Sequence, residues 1–268
     1  MFSPVFFSLL AFATLARAAV VWDADFDTWS WSNQVGTYQT YIYGNLHGEK
    51  ASSWLTLGSG FKNPATTGAK QGIKVKVTGT STWNGGPMLR TELIPQSSRS
   101  LSGNLYFHVS LQIPTVNPPN PAYEHQASSR SLSYFGKVCL QCLVSIFVFQ
   151  YFPGHFADIK YGQLSGQNGV ADTLQVITGG RSIWSTQPVK GTWYNFILGT
   201  GSFGGLWVSN GTSALTKVYT GSLNGNGGND WHVGALRLPI NGNTQVITEE
   251  NIYYSGIYVE DSGPTTQP

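Results

Sequence analysis

Apolar and polar residues alternate with a period of two along much of the chain, and no stretch repeats at the helical period. Ile73, Val75 and Val77 are interleaved with Lys74, Lys76 and Thr78. Leu105, Phe107, Val109, Leu111 and Ile113 are interleaved with Tyr106, His108, Ser110 and Gln112. Successive side chains of a strand point to opposite faces, so this pattern predicts half-buried strands facing a core on one side and solvent or a cleft on the other. Further strands are predicted over 174–178, 193–198, 206–209, 232–238 and 253–259, with Gly-rich turns at 199–205 and 224–229. Many strands without helical patterns between them predict an all-β fold, a β-jelly roll or two-sheet sandwich with an open substrate cleft. Residues 19–261 read as one such domain, and the Pro/Thr-rich tail 262–268 is expected to be disordered.

The N-terminus does not fit this pattern. An apolar run over 5–15 is too short to span a bilayer and ends in Ala16-Arg17-Ala18, the small-x-small signature of a signal peptidase site. Residues 1–18 are read as a signal peptide and the mature chain as secreted and extracellular, with no membrane span. The sequon Asn210-Gly211-Thr212 is consistent with that route. Charged residues make up 10% of the chain and the net charge is +2, with no basic run, which argues against a nucleic-acid partner. The nine Trp and thirteen Tyr serve a core, and flat rings also suit the apolar C–H faces of sugars.

A second irregularity is the segment 127–152, whose part 138–152 is continuously apolar and holds both cysteines, Cys139 and Cys142. Buried strands with free thiols, a strained local disulfide or a Cys-x-x-Cys site are alternatives. The abrupt change of composition between two ordinary segments is read instead as an atypical insert, from a retained intron or a gene-model error.

Thirteen acids leave few candidates for carboxylate chemistry. Asp23, Asp25 and Asp27 read as a solvated edge strand, with cation binding the alternative. Glu249-Glu250 and Glu260-Asp261 read as solvated charges, and Asp172 and Asp230 as turn residues. Glu92 differs. In an extended strand Arg90 and Glu92 share a face, and the guanidinium favours the ionised carboxylate. Glu124 heads the polar run Glu124-His125-Gln126, directly after Tyr123 and the Pro-rich loop 116–121. His232 shares a strand face with Gly234 and Leu236. Each also has a bland reading, as a surface ion pair, a loop and a structural histidine respectively.

At these residues the chain resembles glycoside hydrolase family 131, the fungal broad-specificity β-glucanases. The resemblance is carried by 88–94 (MLRTELI), 124–126 (EHQ), 231–239 (WHVGALRLP) and 254–260 (YSGIYVE), with Val21-Trp22-Asp23 near the start and 156–162 (FADIKYG) in the middle. It implies a β-jelly roll acting on β-1,3-, β-1,6- and β-1,4-glucan polysaccharide or oligosaccharide without a cofactor or metal. Glu92, Glu124 and His232 match the positions associated with catalysis, and Arg90, His125 and Gln126 match substrate-binding neighbours that shape the cleft. A monomer is expected. Two other classes fit the same residues: a jelly-roll polysaccharide lyase and a non-catalytic glucan-binding protein.

Overall fold

The alternating segments become the centres of two sheets. In a computed structural model the described residues are 19–28, 41–42, 51–82, 86–95, 103–131, 157–164, 172–221, 223, 230–239 and 247–268. In chain order the strands are β1 (Val20–Asp23), β2 (Tyr41–Ile42), β3 (Leu55–Gly58), β4 (Gly72–Val77), β5 (Leu89–Pro95), β6 (Tyr106–Gln112), β7 (His125–Ser131) and β8 (Ala157–Tyr161). They continue as β9 (Leu174–Thr178), β10 (Arg181–Thr186), β11 (Trp193–Gly199), β12 (Gly205–Asn210), β13 (Thr216–Thr220), β14 (Asp230–Arg237) and β15 (Glu250–Glu260). One sheet runs β13-β12-β11-β6-β15-β4-β3, with β1 added on β15 as its eighth strand. The other has seven strands in the order β10-β9-β8-β7-β14-β5-β2. All of these pairings are antiparallel, as expected for a jelly-roll sandwich. No helix among the described residues is long and apolar enough to cross a membrane.

The core lies between the sheets. Ile73, Val75 and Val77 of β4 and Phe107, Val109 and Leu111 of β6 face Leu89, Leu93, Ala127, Ile159, Val176, Val233 and Ala235 from the other sheet. Burying each large aliphatic side chain contributes roughly 1.5–3 kcal/mol, which fixes register because a one-residue slip would turn the whole set outward. Trp231 is wedged edge-on against Trp22 and Phe107, at centroid distances of 5.5 and 5.1 Å. Tyr254 of β15 reaches across from the eight-stranded sheet and donates its hydroxyl to the carbonyls of Ala127 (2.7 Å) and Gly234. Both carbonyls sit where β7 and β14 shift register, so the hydroxyl serves groups that the irregular ladder leaves over.

The other face of β6 is not solvated as the alternation predicts. Tyr106, His108 and Ser110 are all buried. Tyr106 packs with Ile197, Trp207 and Leu215, His108 stacks on Tyr258 at 4.0 Å, and Ser110 donates to Asn195, which also binds Asn63. The C-terminal residues form part of this cover, contrary to the expected disorder. Thr265 donates its backbone N–H (2.8 Å) and hydroxyl (2.6 Å) to Glu260, and Thr266 accepts from Leu215 N–H at 2.8 Å. Glu260, read from sequence as solvated, is 2% exposed. Its buried carboxylate draws donors from His108 and the tail.

The start of the suspected insert is also corrected. Residues 127–131 belong to β7, paired with β8 and β14, and Ala127 is a core residue. The remainder of that segment, with Cys139 and Cys142, and the signal peptide lie outside the described residues.

Candidate active site

Three strands of the seven-stranded sheet carry the candidate chemistry, with β14 between β5 and β7. Leu89, Thr91 and Leu93 on β5 and Val233, Ala235 and Arg237 on β14 point inward and are buried. Alternation therefore sends Arg90, Glu92, His232, Gly234 and Leu236 to the opposite face. Glu92 stands opposite Gly234 and Arg90 opposite Leu236. Glu124 comes one residue before β7, where its carbonyl accepts from Leu238 N–H at 3.0 Å. Glu92 and Glu124 thus share one face of the sheet and flank β14.

Glu92 is held on two sides. Arg90 Nε donates to its carboxylate, and His232 Nδ1 lies 2.7 Å from Glu92 Oε2. Burial raises the Glu92 pKa, but the His232 hydrogen bond and the Arg90 charge outweigh it and leave the group below the ordinary glutamate value of 4.5. His232 Nδ1 also lies 2.7 Å from Arg90 Nη2. One ring nitrogen therefore faces a donor and an acceptor together. Protonated, it donates to Glu92; bare, it accepts from Arg90. The state of the imidazole is thereby tied to the charge on Glu92.

Glu124 has a different cage. Lys160 Nζ donates to Glu124 Oε1 at 2.8 Å, and Gln126 Nε2 donates to the same oxygen at 3.2 Å. Lys160 also contacts Asp158 Oδ2 at 3.6 Å. Glu92 and Glu124 are each 5% exposed, so these charges interact in a partly dehydrated setting.

The assignment of His125 to substrate is overturned. It alternates with Glu124 and Gln126, so it points into the sandwich and is 0% exposed. Its Nε2 binds Glu250 Oε2 at 2.8 Å and its Nδ1 donates to the Tyr123 carbonyl at 3.0 Å. Glu250 is correspondingly not a solvated charge but a buried carboxylate between the sheets. Asp172, read as a turn residue, accepts the Tyr161 hydroxyl at 2.8 Å.

A cavity of about 780 Å³ opens elsewhere, lined by Asp23, Asp25, Asp27, Gln71 and Glu260 among others. Its aspartates serve the backbone: Asp23 accepts from Asp25 N–H, and Asp27 from the N–H groups of Lys70 and Gln71. Among the described residues no His, Cys, Asp and Glu cluster is arranged to hold a metal.

The family model described as the glycoside hydrolase 131 catalytic N-terminal domain matches residues 17–130 and 144–265. The chain belongs to glycoside hydrolase family 131. It is similar to the crystal structure of a GH131 β-glucanase catalytic domain from Podospora anserina, at 34% identity over 93% of this chain and 98% of that one, with a TM-score of 0.71. It is likewise similar to the catalytic domain of the glycoside hydrolase family 131 protein from Coprinopsis cinerea, at 34% identity, 93% and 97% coverage and a TM-score of 0.66. No curated protein matches the chain. The match supports a glycoside hydrolase catalytic domain and, with it, a glycan substrate. Both cysteines fall in 131–143, the stretch that the GH131 match passes over.

Within this GH131 domain the sequence reading missed two residues on the candidate face. Lys160 and Asp158 alternate with the core residues Ala157, Ile159 and Tyr161. That alternation was the available signal. Glu250 gave none, because its partners His125 and Arg237 are brought to it from the other sheet by the tertiary fold.

Proposed function

We propose that this GH131 domain is a secreted β-glucanase in which Glu92 acts as general base and Glu124 as general acid. The observation that carries the reading is the unequal environment of two carboxylates on one sheet face. Glu92 has both Arg90 and His232 against it. Glu124 has Lys160, whose charge is shared with Asp158. Hydrolysis needs one ionised carboxylate to activate water and one proton for the leaving oxygen. Glu92, held below its ordinary range, suits the first role. Glu124, on the far side of β14, takes the second, with Gln126 and Arg90 beside the pair to meet sugar hydroxyls. His232 orients the Glu92 carboxylate.

With β14 between them, Glu92 opposite Gly234 and Glu124 beside Leu238 are offset by two strand spacings across the sheet and four residues along β14, about 10 and 13 Å. Inverting enzymes separate their carboxyls by about 6.5–9.5 Å to admit a water, against roughly 5–5.5 Å in retaining ones. A backbone spacing this wide, bridged by two glutamate side chains, suits the longer inverting gap better than the short retaining one. The β-glucan substrate is supported by the description of the Podospora anserina relative as a β-glucanase, and the β-1,3, β-1,6 or β-1,4 linkages rest on the motif resemblance alone. Export through the signal peptide 1–18 is supported by the position of Asn210, exposed at the turn between β12 and β13, where a glycan has room.

The test is the release of reducing ends from laminarin and cellulose oligosaccharides by the wild type, Glu92→Gln and Glu124→Gln. Each substitution should lower kcat by about a hundredfold to ten-thousandfold with the fold intact. Near-normal turnover in both variants would overturn the assignment. Unsaturated, ultraviolet-absorbing products would identify a lyase instead, and glucan binding without cleavage a binding protein.

A further inference from the structure

We infer that Glu250, on the opposite sheet from the proposed catalytic pair, is a positioning residue for Glu124. The inference rests on the reading of Glu124 as the general acid.

Glu124 lies one residue before the start of β7. It stands where the Pro-rich loop 114–123 turns into β7, and the loop's placement decides where the carboxyl points. Glu250, the first residue of β15, grips the chain on both sides of that point. Its Oε1 accepts from Asn120 N–H at 3.1 Å, before Glu124, and its Oε2 accepts from His125 Nε2 at 2.8 Å, directly after it. The neighbours of Glu250 extend the grip. Asn251 N–H donates to the Asn117 carbonyl at 2.8 Å, and Asn117 Nδ2 donates to Glu249 Oε1 at 3.3 Å.

The flank of the loop is fixed from the second sheet. Arg237 lies 3.6 Å above the Tyr123 ring and brings its Nε within 3.6 Å of Glu250 Oε2. Gly162, at φ +91°, lets the Tyr123 carbonyl pass where any β-carbon would stand 2.0 Å from it. His125, Arg237 and Glu250 are 0%, 1% and 5% exposed. Carboxylate, imidazole and guanidinium thus form a water-excluded brace whose fixed point is the segment that presents Glu124. A brace serving stability alone could sit anywhere between the sheets, whereas this one closes around a single residue of the loop–strand junction. Small misplacements of a reacting group cost large factors in rate, so the brace acts on turnover.

The experiment compares kcat and KM on laminarin for the wild type, Glu250→Gln, Glu250→Asp and Glu124→Gln, with folding checked by thermal unfolding. Glu250→Gln keeps the shape and removes the charge. Glu250→Asp keeps the buried charge and shortens the reach, and serves should the amide variant fail to fold. In each folded variant kcat should fall roughly tenfold to a hundredfold while KM stays within about twofold. A purely structural role would lower the unfolding temperature and leave kcat of the folded protein unchanged. That result, with Glu124→Gln inactive, would overturn the inference alone. An active Glu124→Gln would overturn the general-acid reading and this inference with it.

Discussion

A β-carbon at Gly234 would stand 2.6 Å from the Cα of Glu92 and 2.3 Å from the Thr91 carbonyl oxygen. Both are backbone atoms of the neighbouring strand, so no side chain can yield. Gly234 thereby lets β5 approach β14 closely enough for His232 and Arg90 to converge on one carboxylate. Gly234→Ala should push Glu92 outward, costing about 1–3 kcal/mol of stability by overpacking and roughly tenfold or more in kcat. Thermal unfolding and turnover on laminarin check both. An alanine variant with unchanged kcat would separate the close approach from the chemistry.

The pH profile tests the hold on Glu92. If Glu92 works as the ionised base, kcat/KM falls as it takes up a proton. The acid limb of the wild type should therefore lie below the ordinary glutamate value of 4.5. Removing the guanidinium with Arg90→Met weakens the hold and raises the Glu92 pKa. Its limb should move to higher pH, read from kcat/KM between about pH 3 and 8. A limb that stays in place would remove Arg90 from that role.

Stability should decline with acid in two stages. Burial holds His108 below the ordinary 6.5 despite the opposing pull of Glu260, so the unfolded chain takes up that proton first. Stability present above 6.5 is then lost as pH falls through that value. Glu92, Glu250 and Glu260 are all held below 4.5 by partners that outweigh their burial. Their stabilisation is complete above 4.5 and is lost as pH falls through their lower folded values. Unfolding temperatures against pH should show the first decline vanish in His108→Gln, and a decline that survives would point to another group.

The stretch that the GH131 match passes over offers a direct test. Deleting 132–143 removes both cysteines and keeps β7 and β8 whole. The shortened chain should fold, with higher soluble secretion and an unfolding temperature no lower than that of the full chain. A deletion that unfolds the domain would make the segment part of the fold.

The central strands were legible because burial contrast wrote them into the sequence. Ile73, Val75 and Val77 could satisfy the core in one register alone. Edge strands were not. β10 and β13 are largely exposed along their length, so no alternation marks them. The same rule divides the site. Arg90 and Glu92 were paired because residues two apart share a face, and the family resemblance added His232. His125 was assigned to substrate by the resemblance, although alternation with Glu124 turns it inward. Glu250 and Glu260 looked solvated because a carboxylate's partners come from the tertiary fold, and here they come from other strands and the tail.

The proposed base and its partners are mounted on sheet strands, with Arg90 and Glu92 on β5 and His232 on the adjoining β14. Rigid mounting of this kind separates what reacts from what selects. Connections between strands can lengthen, shorten or be exchanged between relatives while the proposed base, Arg90 and His232 keep their geometry. Segment swaps among family members should therefore retune which glycan is accepted and leave the acid limb of the pH profile where it was, which makes the strand pair a fixed chassis for engineering specificity.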